Sequence, residues 1–301
     1  MGTIIAFLKW RFGFQEDKGA FKDAPTYVPQ YEAPDLERIK NPDPNKIQIT
    51  WVGHATFLVQ VAGMNILTDP MWSNRSSPVT WAGPKRESKP GLNFADLPKI
   101  DLVLISHTHY DHLDLPTVQR LGNAPRYVVA DRTKWWFKKQ GITHVTELSW
   151  WESAHFGAVT VTGVPAKHWS KRGIFATNDA GWGGFVIESP AGVVYFAGDT
   201  GYSSEYFKAI GARFNIDVSL IPIGAYYPQW FFGRFHIDPR EAIVVHKEVG
   251  SKKSIAMHWG TFKLTQEPLQ EPPLELARQR QHAGMQENDF SVMKIGETRI
   301  V

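Results

Sequence analysis

The chain has 301 residues, 43% hydrophobic and 21% charged, with 33 basic side chains against 30 acidic ones. That composition supports a large buried core and excludes a disordered chain. The formal charge of +3 lacks the basic footprint of a nucleic-acid binder, and no nucleic-acid partner is expected.

There is no cysteine. Disulfides, thiolate ligands and cysteine nucleophiles are therefore excluded, and any metal must be held by His, Asp or Glu. No apolar run approaches the roughly 20 residues that span a bilayer. Met1 to Phe14 has a short apolar part with Lys9 and Arg11 behind it. It reads poorly as a signal peptide. It suits an interfacial anchor around Trp10 or an element packed on the domain. Residues 15 to 45 are polar and rich in Pro, Asp and Lys, which predicts an irregular, wrapping extension. Residues 1–45 are thus expected to form an N-terminal extension, and 46–301 a single domain.

From Lys46 the pattern becomes β-rich. Ile47 to Trp51, Ala55 to Val61 and Asn65 to Thr68, broken by Gly53 and Gly63, predict a meander. Further strands are expected over Asp101–Ser106, Arg126–Ala130, Ala158–Val164, Gly184–Glu188, Val193–Ala197 and Asp217–Pro222. Helices are expected between them. Asp131 is read as the cap of one that Gly141 ends, and Ser203 as the start of one running towards Gly211. Asp238-Pro239-Arg240-Glu241 joins a capping acid, Pro at the first helical position and Glu three residues after the cap. Gly250 supplies the stop. Leu274–His282 is a last helix, and Phe290–Val301 a closing strand. Strands and helices alternate without a central linker, which predicts one α/β domain.

The densest chemistry is Ser106-His107-Thr108-His109-Tyr110-Asp111-His112-Leu113-Asp114, directly after an apolar strand. In a strand His107 and His109 point to one side, and the following turn can bring Asp111 and His112 to a second ion. One metal needs about four ligands, so the cluster supplies half of each of two sites. The neighbouring Asp114 reads as a helix cap. Three later positions also end strands: His168, Asp199 between Gly198 and Gly201, and His258.

The run His107-Thr108-His109-Tyr110-Asp111-His112 resembles the HxHxDH signature of the metallo-β-lactamase superfamily, and His168, Asp199 and His258 follow in that superfamily's order. More narrowly, the chain resembles the N-acylphosphatidylethanolamine-hydrolysing phospholipase D family. The resemblance lies in Thr50–Thr56, Leu67–Pro70, Gly83–Arg86, Leu104–His107, His168–Arg172, Phe196–Tyr202, Ile221–Tyr226 and His258–Phe262. It implies an αββα sandwich with two zinc ions at one edge. One zinc would take His107, His109 and His168, the other Asp111, His112 and His258, with Asp199 bridging. The ligand types also accept iron or manganese.

The resemblance further implies a phosphodiesterase that releases N-acylethanolamine and phosphatidic acid through a hydroxide shared by the two ions. Asp111, Asp199 and His236 would be its catalytic groups. A lactonase or other small-molecule hydrolase on the same metals is the alternative. The expected partner is a phospholipid, reached by a cytoplasmic protein at the membrane surface. The aromatic run Tyr226–Phe232 suits a substrate wall, a membrane-facing loop or a homodimer interface. His54 reads as a support for the ligands or a structural residue, and Asp69 as a turn-forming acid. His144, His155, His246 and His282 read as structural. The basic pairs Lys85-Arg86 and Lys171-Arg172 suit either a phosphate headgroup or solvated loops.

Overall fold

The computed structural model describes residue 21, residues 26–173 and residues 176–301. Met1 to Phe14 lies outside the described residues. Two seven-stranded sheets face each other, and each is antiparallel at one side and parallel at the other. The first holds β1 (Gln48–Gly53), β2 (Thr56–Val61), β3 (Met64–Thr68), β4 (Leu102–Ile105), β5 (Arg126–Ala130), β6 (Val145–Leu148) and β14 (Thr298–Ile300). The second holds β7 (Ser153–Phe156), β8 (Val159–Val164), β9 (Gly184–Ser189), β10 (Gly192–Phe196), β11 (Val218–Pro222), β12 (Lys253–Met257) and β13 (Phe290–Ser291). The expected αββα sandwich is what the chain forms.

The strand period of two divides the apolar side chains between two cores. Ile49, Trp51, Phe57, Val59, Leu102 and Leu104 point at the second sheet. Their neighbours Val52, Leu58, Val103 and Ile105 point outward, under helices Leu36–Lys40, Leu115–Leu121 and Lys134–Lys139. Both faces are buried, so these strands read as continuous apolar runs rather than alternating ones. Helices Ser204–Gly211, Pro239–Glu248 and Glu271–His282 contribute Phe207, Ile243 and Leu276 to the other core. Among the described residues, no helix is long and apolar enough to cross a membrane.

The helix after Asp238 has the expected capping box: Asp238 Oδ1 accepts from Glu241 N at 2.7 Å, and Glu241 Oε2 accepts from Asp238 N at 3.2 Å. Other expectations change. The extension is not irregular throughout, because Asp35 caps a short helix whose Ile39 is fully buried. Thr133, not Asp131, precedes the helix Lys134–Lys139; the Asp131 carbonyl instead receives Gly181 N. Asp114 and Ser203 occupy N-cap positions without capping side-chain bonds. Asp114 spends its oxygens on Ser73 and Thr117.

The expected closing strand is two strands. Phe290–Ser291 extends the second sheet beside β12, and Thr298–Ile300 extends the first beside β1. Residues 292–297 cross between the sheets, tied by Gly296 N to Trp51 O at 2.8 Å. The strands Val145–Leu148 and Ser153–Phe156 gave no sequence signal. They are short, partly polar and near a sheet end, so little burial marks them.

Candidate metal centre

The parallel strands of both sheets end at one edge of the sandwich, as do β1 and β8. In such sheets the crevice beyond the carboxyl ends is where ligands bind. His54 follows β1, Asp69 follows β3 and His107 follows β4. From the other sheet, His168 follows β8, Asp199 follows β10 and His258 follows β12. The approach between sheets is tight. Gly198 has φ of +61°, and a Cβ there would lie 2.8 Å from Ser106 Cβ. Gly224 leaves room for the His258 carbonyl, 2.2 Å from where its Cβ would stand.

Four groups of donors result among the described residues, and two of them share no residue. Ring nitrogens of His107, His109 and His168 converge in one; His54, Asp111, His112 and His258 converge in the other. Asp199 lies between them. Its Oδ2 is 3.9 Å from Nε2 of His107 and of His168, 3.2 Å from His112 Nε2 and 3.1 Å from His258 Nε2. All seven residues singled out in the sequence therefore meet at one place.

Buried atoms test whether a cation fits here. His112 Nε2, both ring nitrogens of His258, His109 Nε2 and Asp199 Oδ1 are buried without a hydrogen-bond partner among the described residues. Such groups are costly unless something coordinates them. Tautomers are arranged to suit a metal. His168 Nδ1–H donates to Phe235 O at 2.9 Å, so Nε2 faces inward as a lone pair. Asp69 orders two more ligands. It accepts from His112 Nδ1 at 2.6 Å and from Ser106 Oγ at 2.5 Å. With its proton given to Asp69, Ser106 Oγ accepts from His107 Nδ1 at 2.9 Å. His107 and His112 thus both present Nε2 to the centre. The donor set, with two carboxylates and imidazole lone pairs, fits a pair of divalent cations.

The charges agree. Burial alone would raise the pKa values of Asp111 and Asp199, but His112 above all holds both well below the usual carboxylate range. Burial alone would lower His258, but the charge of Asp199, with Asp111 also within 3.4 Å of its Nε2, raises it to about 9. Without a cation, this pocket draws protons onto His112 and His258.

A pH dependence follows for the metal-free protein. His258 carries its proton at neutral pH, and a metal must displace it. Apparent metal affinity should rise from pH 6 towards pH 9, with proton release at pH 7. The raised pKa also means that His258 stabilises the metal-free fold fully below its unfolded value of about 6.5, and that this is lost as pH climbs through about 9. Calorimetric zinc titrations in buffers of different ionisation enthalpy would measure the released protons. Finding none at pH 7 would refute the proton-filled pocket.

The remaining sequence readings fall into place around this centre. His54 is fully buried and contacts Asp111 Oδ2 through Nε2 at 3.0 Å, with its backbone N–H held by Thr261 Oγ1 at 2.9 Å. Asp69 is more than a turn-former, since it anchors two of the histidines. The missed signal was positional: Asp69 directly follows a strand, as His54 and His258 do. His54, Asp69 and His258 all have positive φ, at +55°, +33° and +60°, strain of the kind that collects at functional sites.

Both arginines of the basic pairs are held by backbone carbonyls. Arg172 donates to Leu113 O at 2.6 Å and stacks on Tyr110 and Trp136, bracing the His107–Leu113 loop. Arg86 donates to Met71 O at 2.6 Å and to Ser73 O at 3.1 Å. Lys171 does line the cavity over the centre. His246 bonds Ser254 Oγ, His155 bonds Thr160 Oγ1, and His144 and His282 are exposed. None of these four joins the cluster.

That cavity, of about 570 Å³, opens on His109, Asp111, Asp199 and His236. Phe231, Phe232, Phe235, Trp169 and Leu264 form much of its wall. The aromatic run is thereby divided. Tyr226 is buried with its N–H on Glu267, Phe231 and Phe232 face the cavity, and Trp230 is 50% exposed.

An αββα sandwich carrying His/Asp metal-binding clusters at the strand ends defines a metallo-hydrolase. The chain belongs to the β-lactamase superfamily: the model of that superfamily's domain matches residues 64–259. It is similar to N-acyl-phosphatidylethanolamine-hydrolyzing phospholipase D 1 of Caenorhabditis elegans, 42% identical over 228 residues, 71% of this chain and 64% of that one. It therefore spans less than two thirds of that relative. A UPF0173 metal-dependent hydrolase of Caldivirga maquilingensis is 31% identical over 223 residues, covering 73% of this chain and 86% of that one. The fold matches that of Igni18, a metallo hydrolase from Ignicoccus hospitalis, with TM-score 0.64 and 24% identity over 85% of this chain and 98% of that one.

Proposed function

We propose that the protein is a two-zinc phosphodiesterase that hydrolyses N-acylphosphatidylethanolamine-like phospholipids to N-acylethanolamine and phosphatidic acid, working at the membrane surface. The observation that carries this reading is the cavity. Its floor is the donor cluster and its wall is aromatic, which suits a polar reacting group joined to long apolar chains. The similarity to the Caenorhabditis elegans phospholipase supports it from a separate direction.

His107, His109 and His168 would hold one ion, Asp111, His112 and His258 the other, and Asp199 both. Bound divalent ions make water nucleophilic at neutral pH and neutralise the oxygens of a phosphate. The chain supplies the rest. Phe231, Phe232 and Phe235 take up apolar chains and keep bulk water from the reacting phosphate. Lys171 offers a cation to its non-bridging oxygens. His236 faces the same space, with Nδ1 3.8 Å from Asp199 Oδ2. Burial holds its pKa down to about 4, so at neutral pH its imidazole is uncharged and can accept a proton from the attacking water and hand it on to the departing alkoxide.

The deciding experiment offers purified protein N-acylphosphatidylethanolamine, plain phosphatidylethanolamine, lactones and a chromogenic phosphodiester, with bound metal measured on the same sample. Preferential hydrolysis of the N-acylated phospholipid is expected. Activity on lactones alone would replace this reading with a lactonase. For His236→Ala, turnover should fall by about 10²-fold while metal content stays near that of the parent. A matching loss of bound metal would make His236 a ligand instead.

A further inference from the structure

Beside the catalytic cavity lies a second one of about 780 Å³. Pro78 and Tyr110 line both, so the two are neighbouring arms of one cleft. The second arm runs between helices Leu115–Leu121 and Lys134–Lys139 and the loop 72–80. Its character is opposite to that of the first. Arg75, Arg120, Lys139 and Arg172 line it, interleaved with Trp72, Trp135 and Trp136.

These cations are not equally committed. Arg172 braces the ligand loop, and Arg75 donates to Thr80 O and Gly83 O. Arg120 and Lys139 make no ion pair among the described residues. Arg120 lies 3.7 Å over the Phe94 ring, and Lys139 4.6 Å over the Trp135 ring. Among the described residues Asp114 is the one acid lining this arm, and both its oxygens are hydrogen-bonded. Oδ1 accepts from Ser73 Oγ at 2.7 Å; Oδ2 accepts from Thr117 Oγ1 at 2.5 Å and from Ser73 N at 3.2 Å. With four cations against one carboxylate, the arm shows net positive charge on an aromatic floor, a field that concentrates anions.

We infer that this arm is a second site for a phosphomonoester lipid headgroup, held by Arg120 and Lys139. The inference rests on the phosphodiesterase reading for its ligand. Hydrolysis of a phosphodiester turns a singly charged group into a phosphomonoester, which carries about −1.5 to −2 near neutral pH. The apolar arm fits the uncleaved substrate, and the cationic arm fits the more highly charged product next to where it forms. Phosphatidate in the surrounding membrane has the same headgroup, so the site also ties the protein to a surface enriched in its own product.

The test uses the full chain with its metal, and vesicles of phosphatidylcholine with or without phosphatidate. The variant is Arg120→Gln combined with Lys139→Gln, neither residue being part of the catalytic cavity. Each cation near an anionic surface contributes roughly a fivefold gain in binding, so the double variant should bind phosphatidate vesicles roughly thirtyfold more weakly. Its hydrolysis of a soluble chromogenic phosphodiester should match that of the parent. Equal binding by parent and variant would overturn the site, as would equal binding by the parent to vesicles lacking phosphatidate. Displacement by inorganic phosphate at the concentration of vesicle phosphatidate would identify free phosphate as the ligand and overturn the lipid assignment. Failure of the parent to hydrolyse any phosphodiester would count against the proposed function, whereas the vesicle result judges the second site by itself.

Discussion

Asp199→Asn is expected to strip metal from both clusters and to lower hydrolysis by about 10³-fold or more, beyond the usual loss for one transition-state contact. The side chain keeps its shape, so the fold should survive. Its charge is what changes. Asp199 Oδ2 lies within 4 Å of ring nitrogens from both groups of histidines, and it is the largest upward influence on the His258 pKa. A neutral amide can neither bridge two cations nor offset their charge. Metal analysis of the purified variant beside circular dichroism would decide the matter. Full metal content with normal turnover would remove Asp199 from the bridge, and loss of one equivalent alone would assign it to a single ion.

Asp69→Ala should have the next largest effect, although Asp69 is absent from the seven-residue cluster. Its carboxylate is fully buried and receives Ser106 N at 2.8 Å as well as the Ser106 hydroxyl and His112. Removing it leaves three buried donors unpaired, at a cost of about 3–5 kcal/mol in folding stability. Groups that orient ligands typically carry 10–100-fold in metal affinity, and Asp69 orients two. Denaturant unfolding and competition with a chromophoric chelator measure the two effects separately. Unchanged metal affinity in a folded Asp69→Ala protein would reduce Asp69 to a purely structural role. Asp69→Asn should fall between parent and Ala, since its one carbonyl oxygen can still accept from part of the set.

The sequence by itself determined which side chains could form the centre and where along the chain they stand. His107, His109, Asp111 and His112 are neighbours in one run, and His168, Asp199 and His258 each follow an apolar β-rich run. Strand, glycine and ligand are all local features, and so is the capped start at Asp238. Pairing is not local. Nothing in the residues around Asp69 reports that His112 and Ser106 arrive against it. Nothing around Arg86 or Arg172 reports that each guanidinium turns inward to backbone carbonyls instead of meeting solvent or phosphate. The run Phe290–Val301 reads as a single strand because each half is β-like. Only the separation of the two sheets sends Phe290–Ser291 to one and Thr298–Ile300 to the other. Strand order was equally hidden, because strands buried on both faces lack an alternation that would mark their sides. The cationic arm of the cleft needs separate segments to meet, among them the loop 72–80, two helices and the segment that carries Arg172. Tertiary structure decided these features because each depends on groups that only the packing of the two sheets brings within reach of one another.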